Sequence, residues 1–357
     1  MNTGALTSEA ITLLSRLIET PRTSRQEKQA SDMLFSYITN DCGLSAERTG
    51  NNILVRTENF KPTRPTLLLN AHIDTVKPVS GWQRDPFCAT REGNRLYGLG
   101  SNDDGGSLVS LLQVFRQLST EDLPYNLLFL ASAEEEVSGH NGIEQMIPLL
   151  PHVDVAIVGE PTGMQPAIAE KGLMVLDVTA HGKAGHAARN EGDNAIYHAM
   201  DDMQWFRTHH WEKVSPLLGE VKMTVTIVNA GTQHNVIPDQ CTFTVDVRTN
   251  EFYPNQDLFQ NICQQVKSDV KARSFRLNSS HIPTEHPLVQ QLISMGKKPF
   301  GSPTLSDQAL MPFPSLKIGP GESSRSHTAD EYIEIDEIED AIKTYTEILR
   351  GVSLRQE

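Results

Sequence analysis

His72, Asp103, the pair Glu135-Glu136, Glu160 and His327 are the residues of this chain whose types and places fit one piece of chemistry. All but His327 close or closely follow a hydrophobic run. His72 ends Leu67-Leu68-Leu69-Asn70-Ala71-His72-Ile73-Asp74, and Asp103 ends Gly98-Leu99-Gly100-Ser101-Asn102-Asp103. Glu135-Glu136 follow Leu127–Ala133, Glu160 follows Val153–Gly159, and His327 lies near the C-terminus beyond the turn Gly319-Pro320-Gly321. Acids and histidines at the carboxyl ends of several strands read as one metal cluster, because that edge is where sites form in open α/β sheets. A hydrolytic enzyme follows.

Each signal has a bland reading beside it. A lone histidine after a strand is usually structural, but residues i and i+2 of a strand share a face. Asp74 is therefore placed to hold one ring nitrogen of His72, as metal-binding histidines require. The loop Gly98-x-Gly100-x-x-Asp103-Asp104-Gly105-Gly106 has no Lys-Ser or Lys-Thr after its glycines, which argues against a phosphate-binding P-loop. It reads instead as a loop that delivers Asp103 to metal. A run such as Glu134-Glu135-Glu136 is ordinarily a solvated turn, yet this one ends a strand that should be central. Like charges packed there are costly unless cations neutralise them. Gly159-Glu160-Pro161 repeats the situation one strand later.

The elements that must position these residues follow from periodicity. Helices are expected after Thr7 or Ser8, from a capping box at Ser24-x-x-Glu27 to about Ile38, and over Leu108–Leu118. Strands are expected over Asn51–Thr57, Thr66–Ala71, Asn126–Ala133 and Val153–Gly159, with a short helix at Gly142–Leu149. Strands alternating with helices imply an α/β fold with a mainly parallel sheet. After Pro161-Thr162-Gly163 the pattern changes. Strand Gly172–His181, a helix from Asn194 to about Trp205, strands Val221–Asn229 and Cys241–Thr249, helix Leu258–Ala272 and strand Ser274–Ser279 give a β-α-β-β-α-β, ferredoxin-like order. The buried strand Ser315–Ile318 and a closing helix bearing Ile335, Ile338, Ile342, Tyr345 and Leu349 return to the first pattern. The chain thus divides into a discontinuous domain, 1–171 with 282–357, and an inserted domain, 172–281.

At 357 residues, two domains are expected. A net charge of -14 argues against nucleic acid as a partner. The four cysteines form no close pair and read as free thiols. No signal peptide or membrane span is visible, so a cytoplasmic location is the default expectation.

With these motifs the chain resembles the co-catalytic zinc aminoacylases and carboxypeptidases, the group of acetylornithine deacetylase, succinyl-diaminopimelate desuccinylase and related N-acyl-amino-acid deacylases. The motifs include Gly182-Lys183-Ala184-Gly185-His186, Asn235-Val236-Ile237-Pro238 and His327-Thr328-x-x-Glu331, and the resemblance spans essentially the whole chain. It implies a zinc-exopeptidase-like mixed sheet flanked by helices, two zinc ions (cobalt or manganese being possible substitutes) and an inserted domain that forms a homodimer. It assigns His72 and Glu160 to one zinc, Glu136 and His327 to the other, Asp103 as the bridge and Glu135 as general base. A cis peptide is expected just after that aspartate.

His186 would stabilise the oxyanion from the partner subunit's side. Asn235 and Arg248 would contact the substrate carboxylate, with a salt bridge to Asp246 as the alternative for Arg248. Arg325 could read the distal carboxylate of a succinyl group. The implied substrate is an N-acyl amino acid, first of all N-acetyl- or N-succinyl-ornithine or -citrulline in arginine biosynthesis. Acetyl-lysine, succinyl-diaminopimelate and dipeptides are the alternatives.

Overall fold

The computed structural model describes residues 2–189 and 191–354. The chain forms two compact units, Met1–Ile168 with Ile282–Phe300 and Ser306–Glu357, and Ala169–His281 with Gly301–Leu305.

The first unit is built on a mixed sheet. Its strands lie in the order Ala46–Thr49, Asn52–Arg56, Asn126–Ser132, Thr66–His72, Val155–Val158, Ser315–Lys317 and Ala167–Glu170. The four strands from Asn126–Ser132 to Ser315–Lys317 are parallel, and the flanking pairs are antiparallel. Strands Thr66–His72 and Asn126–Ser132 are buried at every residue. Such strands are apolar on both faces because both are covered. One face, with Leu67, Leu69, Leu127 and Phe129, packs against helices Thr3–Ile18, Gly106–Leu118 and Ile335–Gly351 through Leu14, Leu112, Ile338 and Ile342. The other, with Leu68, Leu128, Leu130 and Val158, meets Ile143 and Met146 of helix Ile143–Met146. Among the described residues no helix is long and apolar enough to cross a membrane.

The second unit has the strand and helix order β-α-β-β-α-β around a four-stranded antiparallel sheet. The sheet runs Lys222–Ala230, Gln240–Thr249, Gly172–His181, Asp269–Ala272. Residues Met174, Leu176, Val178 and Ala180 alternate inward under helices Ala195–Thr208 and Asn255–Gln265.

Three local expectations are corrected. The first helix begins at Thr3, capped by Asn2 Oδ1 rather than by Thr7 or Ser8. Ser24 caps no helix: the second helix runs Lys28–Ser36, while the Ser24 hydroxyl donates to Asp74 Oδ2 at 2.7 Å. The helix expected over Leu258–Ala272 ends at Gln265, and the last strand of the four-stranded sheet is Asp269–Ala272, not Ser274–Ser279. Asp202 stops the chain there by accepting the backbone N–H groups of Lys267 and Ser268 at 3.1 and 2.9 Å. The four cysteines are free.

Tyr345 ties the closing helix to the sheet. It is fully buried, and its hydroxyl donates to the Ile318 carbonyl at 2.5 Å. A buried carbonyl left without a partner costs about 1–3 kcal/mol. Tyr345→Phe should lower unfolding free energy by about that amount with the urea m-value unchanged. Unaltered stability would show that this tie contributes nothing.

Candidate metal centre

His72 ends the central strand Thr66–His72. Its Nδ1 lies 3.0 Å from the Asp74 carbonyl oxygen, and its Nε2 lies 3.2 Å from Asp103 Oδ1. A carbonyl can only accept, so Nδ1 carries the proton and Nε2 is turned into the cluster. Asp74, itself buried, does more than face the ring. Its carboxylate accepts from Ser24 Oγ and from the backbone N–H groups of Glu135 and Glu136, at 2.7, 3.0 and 3.2 Å. One residue thus holds the histidine through its carbonyl and, through its carboxylate, the turn that carries the glutamate pair.

The loop bearing Asp103 is held by Glu331. Its carboxylate accepts the backbone N–H groups of Gly100, Asn102 and Asp103 at 3.1, 2.9 and 2.9 Å. Buried Arg22 donates to the Gly100 carbonyl at 2.8 Å and to that of Ile73. Gly100 has φ +71, and a Cβ there would lie 2.6 Å from the Arg22 guanidinium, so only glycine fits. The Asp103–Asp104 peptide is cis. The Asn102 side chain then bonds both backbone groups of Glu322 and the Ser326 hydroxyl, which ties this loop to the turn before His327. His327 Nε2 lies 2.9 Å from Glu136 Oε2 and 3.6 Å from Asp103 Oδ2.

Two sets of side chains can each offer ligand atoms within 4.8 Å of one another: His72, Glu135 and Glu160, and His72, Asp103 and Glu136. All the residues named from the sequence as metal ligands, with Glu135, therefore converge. The electrostatics explain why cations suit the place. Burial pushes the carboxyls of Glu135 and Glu160 well above their usual range. Neighbouring acids push further: Glu160, Asp307 and Glu136 on Glu135, and Asp103 and Asp104 on Glu160. Lys317, buried in strand Ser315–Lys317, is the cation that most opposes the shift of Glu160. Burial opposes protonation of His72, but its bonds to Asp103 and Asp74 outweigh that and raise the imidazole well above its ordinary value. His327 is raised to about 9, first by its bond to Glu136. Glu136 Oε1 is buried with no hydrogen-bond partner. Carboxylate and imidazole donors without thiolates suit zinc, and also cobalt or manganese. The residues present fit a divalent cation.

Some site residues were not singled out by their sequence context. Asp307 is buried beside the cluster, accepts from the Ser132 hydroxyl at 2.6 Å, and Asn70 donates to that same hydroxyl at 2.9 Å. The available signal was polar Asn70 and Ser132 inside otherwise apolar strands, because buried polar side chains need partners. Arg22 lies in a turn whose role appears only once distant segments meet, and Ser24 and Glu331, expected as a helix cap and as part of a motif, hold Asp74 and the Asp103 loop instead.

The remaining predicted residues divide. His186 and Asn235 come together within the second unit, where Gly185–His186 pairs with Val236–Ile237 and Ala187 donates to the Asn235 carbonyl at 3.0 Å. Arg248 is bound to Asp246 on its own strand at 2.9 and 3.2 Å, the alternative given for it. Arg325, named for a succinyl carboxylate, has a carboxylate partner within the chain. Its guanidinium forks onto Glu337 at 2.7 and 3.0 Å and lies over the Tyr332 ring.

A helix-flanked mixed sheet with imidazoles and carboxylates gathered at the ends of its parallel strands is the arrangement of a metal-dependent hydrolase. The chain belongs to the peptidase family M20/M25/M40, whose profile matches residues 68–351. It is 28% identical to a succinyl-diaminopimelate desuccinylase of Corynebacterium glutamicum, over 94% of each chain. It is 29% identical to an acetylornithine deacetylase of Salmonella heidelberg, over 95% of this chain and 96% of that one. The fold is also that of a dinuclear metal-binding peptidase of Bacillus subtilis, with a TM-score of 0.71 at 16% identity, covering 97% of this chain and 98% of that one.

Asp307 supplies a pH test. Burial raises its carboxyl from 3.8 to about 6. Between those values the folded chain binds more protons than the unfolded one, so stability falls as pH rises through the window. Two units correspond to about 3 kcal/mol. In chelator-treated protein, Asp307→Asn should gain stability on the parent by up to about that amount between pH 4 and pH 7, read by urea unfolding. Parallel pH profiles for the two proteins would refute the assignment.

Proposed function

We propose that this chain hydrolyses the amide bond of an N-acyl amino acid at a two-metal centre, with an N-acetylated amino acid such as N-acetylornithine or N-acetylcitrulline as substrate. The observation that carries the reaction type is the convergence of His72, Asp103, Glu135, Glu136, Glu160 and His327 at one edge of the sheet. In this reading His72 and Glu160 would hold one zinc, Glu136 and His327 the other, and Asp103 would serve both. The metals, when bound, polarise the amide carbonyl and lower the pKa of water.

Glu135 takes the proton from the attacking water at its carboxylate and passes it to the leaving amine nitrogen. The burial that raises its pKa suits a group that must both accept and release a proton near neutrality. Asp74 keeps Glu135 and Glu136 in register through their backbone N–H groups.

The substrate class is supported by the two curated relatives, which act on acylated amino acids by their names. The acetyl group is favoured over succinyl because Arg325, the residue named for a succinyl carboxylate, is taken by Glu337. Asn235 and His186 are the candidates for substrate carboxylate and oxyanion contacts from the second unit.

We assign that unit to dimerisation. Its strand Lys222–Ala230 is a sheet edge, and Ile227 and Val228 on it are each 51% exposed. Tyr197 and Met200 on helix Ala195–Thr208 are exposed as well. An unpaired apolar edge is a template for a second copy.

Two measurements test this reading. In a panel of N-acetyl and N-succinyl ornithine, citrulline, lysine and diaminopimelate, with dipeptides alongside, acetylated substrates should turn over fastest when zinc or cobalt is supplied. Hydrolysis of dipeptides alone would overturn the substrate class. Glu135→Gln should lower kcat by about 10²–10⁴ while retaining metal that Glu136→Ala and His327→Ala lose. A Glu135→Gln protein with full activity would remove the proposed base. Separately, Ile227→Lys with Val228→Lys should turn a dimer into a monomer in sedimentation. A parent chain that sediments as a monomer contradicts the assignment.

A further inference from the structure

A second concave site lies wholly within the inserted unit. A cavity of about 350 Å³ opens between the end of helix Ala195–Thr208 and the start of strand Lys222–Ala230. Its floor is apolar, made by buried Phe206 and Val221. Its rim is not. Lys171, Arg207 and Lys222 line it together with His209 and His210, and the single acid among the lining residues is Glu220.

That acid is already engaged: Glu220 Oε2 lies 3.0 Å from His210 Nδ1. Lys171 reaches only the Glu220 backbone carbonyl, at 3.0 Å. Among the described residues, none of Lys171, Arg207 and Lys222 has a carboxylate in ion-pair contact. Three cations thus share one cavity with a single acid, in a chain with net charge -14. The arginines Arg273 and Arg248 of the same unit are held by Asp177 and Asp246, whereas these three cations are gathered around one cavity.

The strain of this arrangement is visible at Lys171. Burial lowers its pKa, and the positive charges of Lys222 and Arg248 lower it further, with Glu220 opposing them. An anion in the cavity would relieve both effects. His209 adds a wall of different character. It is stacked on Trp205 with ring centroids 4.5 Å apart and meets Trp211 edge-on at 4.6 Å. Burial, with His210 next to it, favours its neutral form. It can therefore donate or accept a hydrogen bond without adding charge.

The geometry points to a binding site for a small phosphate-bearing molecule, held by Lys171, Arg207 and Lys222 over the Phe206 floor. Arginine gives a planar two-pronged contact to phosphate oxygens, and the lysines act as point charges beside it. The concave shape and small volume suit a monoester of a few carbon atoms. An extended polyanion would meet the acid excess of the rest of the chain. This site stands apart from the hydrolytic reading and does not depend on it.

The tryptophans provide the readout. Trp205 and Trp211 both touch His209, and Trp82, in the first unit, is the third tryptophan of the chain. The metal-loaded full chain carrying Trp82→Phe is titrated with inorganic phosphate and with glycerol 3-phosphate, following tryptophan emission. The expected result is a saturable change for both, weakened by added salt. Lys171→Met and Arg207→Ala should each weaken it tenfold or more, while amide turnover and melting temperature stay at parental values. Arg207 and Lys222 are exposed, so Lys222→Met carries the test should Lys171→Met misfold. Equal affinity in parent and variants would overturn the site, since phosphate would then be bound elsewhere, including at the metals. Succinate binding as tightly as phosphate would overturn the phosphate assignment, and no saturable change in the parent would overturn both.

Discussion

Buried negative charge at one edge of the sheet is the constraint on which the rest of this structure depends. Asp103, Asp104, Glu135, Glu136, Glu160 and Asp307 share that edge, with His72, His327 and Lys317 as the nearby cationic groups. Desolvated carboxylates of like charge cannot all stay ionised without cations or protons. Burial moves Asp104 and Glu331 each to about 7, with the charge of Asp103 adding to it in both and His72 opposing it at Asp104. Protons and divalent cations therefore compete for the same oxygens, and metal affinity in such a site must fall as pH falls.

The fold keeps this charge in place by spending backbone donors on it. Asp74 and Glu331 are not placed to be reactive, yet together they accept from Glu135, Glu136, Gly100, Asn102 and Asp103. Both lie near the ends of sequence segments far apart in the chain, and both are deeply buried. A carboxylate satisfied by several N–H groups is tolerated where a bare one is not. The ligand geometry is thus set from behind, by acids that hold loops, and the ligands themselves are left with free oxygens such as Glu136 Oε1.

The sequence showed the ligands more clearly than their supports, for a physical reason. His72, Glu135-Glu136 and Glu160 follow continuous apolar strands, and the period-two or unbroken burial of a strand marks its own end. The supports have no such local signature. Ser24 obeyed a capping pattern with Glu27, but the hydroxyl found a better acceptor in Asp74, 50 residues away. Asp307 sits in a polar Ser306-Asp307-Gln308 segment that reads as a surface loop until Ser132 and Asn70 are seen to reach it. The Leu258–Ala272 segment failed differently. Its apolar spacing continues through Val266 and Val270, but Asp202 caps the backbone at Lys267 and Ser268, a tertiary contact that periodicity cannot register.

The same reasoning bears on the arginines. Charge-assisted, two-pronged contacts are what arginine offers a carboxylate ligand, so an arginine near a site invites a substrate role. Arg325 and Arg248 show how weak that inference is when acids abound. With 45 acids against 31 basic side chains, an arginine usually finds a carboxylate of its own chain. Both do, at 2.7–3.0 Å and 2.9–3.2 Å. In an acidic protein the informative cation is the one that has not been neutralised. Lys171, Arg207 and Lys222, gathered around one cavity without ion pairs among the described residues, say more about binding than Arg325 and Arg248.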